Sequence, residues 1–138
     1  MEFIRVNSLN IKINEAQAKN LSNESKIKKM LKEKNVLGFD IYCDKQLIGF
    51  AMLKEFEKHK YFLWDYYIDY DYQNKGFGTK ALQELIDMLK KNYHCNVVTT
   101  TYKFGNLPAK RLYEKIGFIE TDIVDEEEVH EVNMRLDL

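Results

Sequence analysis

Gln73-Asn74-Lys75-Gly76-Phe77-Gly78 follows an aromatic and apolar run, Tyr61 to Ile68, and leads directly into a helical pattern. Glycines at positions 76 and 78 allow a close approach of backbone to a ligand and φ values that other residues avoid. The helix behind them leaves its first N–H groups unpaired at the positive end of its dipole, a natural partner for phosphate or pyrophosphate. Lys75 offers a cation and Thr79 a hydroxyl. Taken alone, the six residues fit a plain turn into a surface helix equally well. They differ from dinucleotide and P-loop fingerprints, lacking a third glycine at the right step and a Gly-Lys-Ser/Thr end.

One helix and one strand further on comes Asn106-Leu107-Pro108-Ala109-Lys110-Arg111-Leu112-Tyr113, followed by Gly117-Phe118. The intervening length is that of a crossover: a helix from Thr79 to about Asn92, then a strand from about Asn96 to Tyr102, parallel to the strand before the loop. Asn106 is predicted to cap a second helix, with Pro108 tolerated in its first turn and Gly117 ending it. Ala109, Leu112, Tyr113 and Ile116 then share one face. A tyrosine there is usually a core aromatic. With the glycine loop upstream, it reads instead as a group placed beside the loop's ligand.

These paired patterns resemble the GNAT superfamily of N-acetyltransferases. Gln73-x-x-Gly76-x-Gly78 matches the acetyl-CoA loop, and Asn106-x-x-Ala109-x-x-Leu112-Tyr113-x-x-x-Gly117-Phe118 matches the following motif. The resemblance runs from about Ile41 to the C-terminus. Trp64-Asp65-Tyr66-Tyr67-Ile68-Asp69 and Gly49-Phe50-Ala51-Met52 further resemble bacterial diamine, spermine and spermidine acetyltransferases. The resemblance implies an α/β fold: a central mixed sheet, mostly antiparallel and splayed, flanked by helices. It implies acetyl-CoA as co-substrate, with Gln73, Asn74, Lys75, Gly76, Phe77, Gly78 and Thr79 around the pyrophosphate. The backbone of Tyr67 and Ile68 would lie along the pantetheine, with Asn106 beside it. Tyr113 becomes the acid for the departing thiolate, and a homodimer becomes plausible.

Acetyl transfer to an amine needs a neutral amine, a stabilised oxyanion and a proton for the leaving thiolate. An alkylammonium is neutral in roughly one molecule per thousand at pH 7, a cost of about 4 kcal/mol. A tyrosine is protonated at neutral pH and is a reasonable acid towards a thiolate. Asp65 is the candidate base or amine binder, although strict alternation along the strand sets Trp64 inward and turns Asp65 to the opposite face. A bulge would turn it back. Its plainer role is a structural hydrogen bond. Some relatives use a glutamate on the next strand, where this chain has Thr101.

The acceptor is read from side-chain chemistry. Tyr61, Trp64, Tyr66, Tyr67, Tyr70 and Tyr72 crowd one segment among Asp65, Asp69 and Asp71. Aromatic faces hold alkylammonium groups, so a small polyamine such as spermidine or spermine fits. Core packing and solvated turns account for the same residues, and also for Asp122 with Asp125 to Glu128. Two alternatives stay open: a peptide or protein N-acetyltransferase, which needs an open groove, and a non-catalytic acyl-CoA sensor.

The 138 residues predict a single domain. A net charge of −1 argues against general nucleic-acid binding, and no apolar run suits a membrane span. Cys43 and Cys95 read as reduced, cytoplasmic thiols, and His59, His94 and His130 have no metal-ligand spacing. Further elements are expected as a strand at Phe3 to Val6, one or two helices over Asn14 to Lys34, and hairpins around Asp44-Lys45-Gln46 and Asp125-Glu126-Glu127.

Overall fold

A computed structural model describes residues 1–138. Seven strands and four helices follow in the order β1 (Glu2–Val6), α1 (Glu15–Ala18), α2 (Glu24–Met30), β2 (Val36–Cys43), β3 (Gln46–Glu57), β4 (Lys60–Ile68), α3 (Phe77–Tyr93), β5 (Val97–Lys103), α4 (Leu107–Ile116), β6 (Ile119–Glu126) and β7 (Val129–Asp137). The strands form one sheet in the order β1-β2-β3-β4-β5-β7-β6. Every neighbouring pair is antiparallel except β4 and β5.

The parallel pair follows from the α3 crossover between β4 and β5. Their pairing covers only Lys60–Leu63 against Val97–Thr100. Beyond Leu63 and Thr100 the two strands part, leaving a slot in the sheet. The slot opens because β4 stays with β3 up to Ile68, while β5 stays with β7 up to Lys103.

One face of the sheet packs against α3 and α4. Ala81, Leu82, Leu85, Ile86 and Leu89 of α3 are all buried, as the three- and four-residue apolar spacing predicts. Each large aliphatic side chain removed from water there contributes about 1.5–3 kcal/mol. The other face carries a smaller cluster under α2, with Ile27, Met30, Phe50, Met52 and Tyr67. The Asn14 to Lys34 stretch divides into two short helices, each capped by an asparagine. Asn14 accepts the N–H of Ala16 at 2.9 Å, and Asn23 accepts that of Lys26 at 2.8 Å.

Strict alternation fails in β4. Met52 pairs with Asp65 and Leu53 with Leu63, so Trp64 has no partner on β3. This bulge puts two successive side chains on the α1–α2 side of the sheet. Trp64 packs against the smaller cluster, and Asp65 accepts the Ser22 N–H. α3 also starts two residues earlier than expected, since Gly76 serves as its N-cap with φ +84.

Candidate active site

The glycine loop combines strain with unpaired donors. Asn74 (φ 58) and Gly76 (φ 84) both take left-handed backbone, which turns the chain sharply into α3. No side chain caps α3, and its first backbone bond runs from Lys80 N–H to Gly76 O. The N–H groups of Phe77, Gly78 and Thr79 therefore have no protein partner. A Cβ at Gly76 would meet nothing within 4 Å, and one at Gly78 only Ile68 Cγ1 at 3.9 Å. Open space, free donors and the helix dipole together fit a pyrophosphate. Lys75 folds back on the Asp71 carbonyl at 3.0 Å and lies at the exposed rim.

Gln73 serves the loop differently. Its Nε2 donates to the Ile68 carbonyl at 2.6 Å, and its amide also pairs with Gln17 of α1. The Asp69 N–H donates to Ile48 O, so alternation turns the Tyr67 backbone towards β3 and those of Tyr66 and Ile68 into the slot. The Tyr67 side chain is buried, and its hydroxyl accepts the Asn14 N–H at 3.0 Å.

Tyr113 of α4 lies in the core on the α3–α4 side of the split sheet. Asn106 caps α4 by accepting the Ala109 N–H at 3.4 Å, and Gly117 (φ 119) ends the helix. Tyr113 is 8 % exposed and packs on Phe118 with ring centroids 5.5 Å apart. Burial pushes its phenol above the usual value of 10, and the Asp65 charge adds to this. Its neighbour Tyr66 donates its hydroxyl to Gly78 O at 2.6 Å, joining β4 to the first turn of α3. Burial raises the Tyr66 phenol as well, so both hydroxyls keep their protons at neutral pH.

Asp65 faces the slot from the α1–α2 side. It is 3 % exposed. Oδ1 accepts the Ser22 N–H at 2.8 Å, while Oδ2 is buried without a partner. Desolvation raises its pKa above 3.8, opposed by the Ser22 hydrogen bonds and by the charges of Lys26 and Lys103. Lys26 Nζ also lies 5.3 Å from the centre of the Trp64 ring, and Lys54 Nζ lies 5.9 Å from it.

The segment from Asn14 to Ser22 straps over this side of the slot. Asn14 is tied to Tyr67, Gln17 to Gln73, the Lys19 carbonyl to Lys103 of β5, and Ser22 to Asp65. It thus bonds both arms of the split sheet. Thr100, at the last paired position of β5, and the strap are absent from the residues singled out in the sequence. Thr100 had one legible signal: a hydroxyl between Val98 and Tyr102 on the core-facing register of β5. The strap had none, because its bonds run through backbone groups distant in sequence. No cluster of three or more metal-ligating side chains gathers anywhere in the chain.

A family model described as Acetyltransferase (GNAT) family matches residues 9–118. Spermine/spermidine N(1)-acetyltransferase from Bacillus subtilis (strain 168) is 34 % identical, over 56 % of this chain and 56 % of its own length. The chain thus spans little more than half the length of that curated relative. Among solved structures, a GNAT family acetyltransferase from Elizabethkingia anophelis with acetyl-CoA bound superposes with a TM-score of 0.76 at 16 % identity, covering 99 % of this chain and 97 % of that one. The spermidine N-acetyltransferase from Vibrio cholerae in complex with CoA and spermine gives 0.68 at 20 % identity, over 83 % and 72 % of the two chains. The extent of the family match, on a sheet split between β4 and β5, decides the assignment: this chain belongs to the GNAT family of acetyltransferases.

Proposed function

We propose that this protein moves the acetyl group of acetyl-CoA directly onto a primary amine of a small polyamine, such as spermidine or spermine. The observation that carries the proposal is the split of the sheet beyond Leu63 and Thr100, with buried Asp65 on its α1–α2 face and buried Tyr113 on its α3–α4 face. An amine entering beside Asp65 attacks from one face, and the thiolate leaves towards Tyr113 on the other.

Acetyl-CoA supplies the activated thioester. The unpaired N–H groups of Phe77, Gly78 and Thr79 bind its pyrophosphate, with Gly76 and Gly78 leaving room for it. Asn74 sets the turn, Lys75 adds charge at the rim, and Gln73 braces the loop against β4. The slot-facing backbone of Tyr66 and Ile68, with Tyr67 between them and Asn106 across the slot, lies along the pantetheine arm. Asp65 favours the ammonium beside it and accepts a proton as the amine attacks; Tyr113 donates its hydroxyl proton to sulphur.

Two features support the polyamine. The strap, bonded to both arms of the slot, leaves the acceptor side better shaped for a slender chain than for an extended peptide. The Bacillus relative is named for action on spermine and spermidine. The proposal includes a homodimer through the edge strand β6, where Ile119 and Ile123 are 72 % and 63 % exposed. It also includes a cytoplasmic setting, in which the free thiols Cys43 and Cys95 stay reduced.

The test is thiol release from acetyl-CoA against spermidine, spermine, putrescine and a lysine peptide. Turnover on the polyamines is expected. Turnover on the peptide alone overturns the substrate class, and bound acetyl-CoA without turnover on any amine overturns the catalytic reading.

A further inference from the structure

Tyr66 of β4 extends its hydroxyl to the first turn of α3, where it donates to the Gly78 carbonyl oxygen at 2.6 Å. Helical geometry already gives that oxygen one partner, the N–H of Leu82 four residues on. A carbonyl oxygen has two lone pairs, and the phenol takes the second. The helix has no geometrical need of it, since five buried apolar side chains already hold α3 to the sheet. What the bond changes is the peptide unit on which it lands. Gly78 C=O and Thr79 N–H belong to one planar, resonance-coupled amide. Electron density drawn towards the oxygen leaves the N–H at the other end a stronger donor, as along any chain of hydrogen bonds. That N–H is one of the three without a protein partner at the start of α3. The other two, of Phe77 and Gly78, belong to the amides of the Gly76 and Phe77 carbonyls, to which Tyr66 makes no bond. Burial holds the proton on the Tyr66 phenol, so the donation persists at neutral pH.

We infer that Tyr66 is a positioning residue for acetyl-CoA: its hydroxyl, bound to Gly78 O, fixes the first turn of α3 against β4 and polarises the Gly78–Thr79 amide, so that the Thr79 N–H donates to the pyrophosphate more strongly than its two neighbours. This rests on the reading of the α3 start as the pyrophosphate cradle. No covalent bond changes, and the phenol keeps its proton throughout. Tyr66 thereby serves two parts of one ligand. Its backbone lies along the pantetheine arm, and its side chain sets a donor at the phosphates.

The experiment compares wild type with Tyr66→Phe by amide NMR spectra and by titration with CoA and with pantetheine, which lacks the pyrophosphate. In the free protein the Thr79 amide proton is expected to move upfield in Tyr66→Phe, and by more than those of Phe77 and Gly78. Kd for CoA should rise about 2- to 5-fold, the share of one charge-assisted hydrogen bond that such polarisation controls. Kd for pantetheine, followed on the same spectra, should not change. Equal shifts of all three amides mark a displaced turn and overturn the role of Tyr66. So do equal losses for the two ligands, or an unchanged Kd for CoA. Wild-type protein that binds pantetheine as tightly as CoA overturns the pyrophosphate cradle instead. Should Tyr66→Phe unfold, replacing Tyr66 by 3-fluorotyrosine decides the matter, since it keeps the ring and hydroxyl but makes the phenol a stronger donor. The Thr79 amide should then move downfield and CoA should bind more tightly. Movement the other way, or none, overturns the proposal.

Discussion

Asp65 accepts the backbone N–H of Ser22 through Oδ1 at 2.8 Å while its Oδ2 is buried with no partner. One oxygen fixes the strap and the other is left for chemistry. A carboxylate in that position costs folding energy that a purely structural residue has no reason to incur.

Replacing Asp65 by asparagine keeps an acceptor for Ser22 and removes the charge. Asp65 has a raised pKa, so its contribution to stability is present below the unfolded value near 3.8 and is lost as pH rises through the higher folded value. The Asp65→Asn variant should therefore gain stability relative to wild type as pH rises above the unfolded value near 3.8. Its kcat/KM should fall about 100-fold or more, and the acidic limb of the pH profile should disappear. Thermal melts and pH–rate profiles read both. An unchanged profile removes Asp65 from the reaction.

Tyr113→Phe keeps the ring contact with Phe118. It should lower kcat by roughly 100-fold or more with little change in KM for acetyl-CoA. Because burial lifts the phenol above 10, the wild-type basic limb should lie above that value, and the phenylalanine variant should lack it. Steady-state kinetics across alkaline pH provides the check.

Gly78→Ala separates folding from ligand binding. The added Cβ meets only Ile68 Cγ1 at 3.9 Å, and alanine gains up to about 1 kcal/mol over glycine inside a helix. The melting temperature should hold or rise, while affinity for CoA falls because the methyl enters the space where the backbone must approach phosphate. Calorimetric titration with CoA beside a thermal melt tests this. Unchanged affinity would place the pyrophosphate elsewhere.

Gly49→Ala should do the reverse. A Cβ there would lie 2.5 Å from the Tyr67 carbonyl and 2.8 Å from Ile68 Cδ1, so β3 and β4 must separate. A loss of about 1–3 kcal/mol in a denaturant titration is expected. An undiminished midpoint would show that the strands tolerate the shift.

Those features set by local spacing were legible in the sequence. The apolar face of α3, the asparagine and glycine that bound α4, and the crossover length all act over a few residues. They gave the splayed α/β sheet and the family. The bulge at Trp64 left no comparable mark: no glycine or proline stands there, and it arises from how β3 and β4 register along their whole length. For the same reason, neither the strap's bond to Asp65 nor the Thr100 bond to Leu63 was legible. Each joins residues distant in sequence, which meet only once the sheet has split.

That bulge lets the two halves of β4 keep independent facing. Deleting Trp64 would restore simple two-residue phase to the strand and leave every other side chain on its present face. Drawing Trp64 into the ladder would instead turn Asp65 to Ile68 over. The unpaired residue acts as a phase insertion between a segment that builds the core and a segment that handles the ligand. Across related chains, loss of the bulged residue should therefore be tolerated where its entry into the ladder is not.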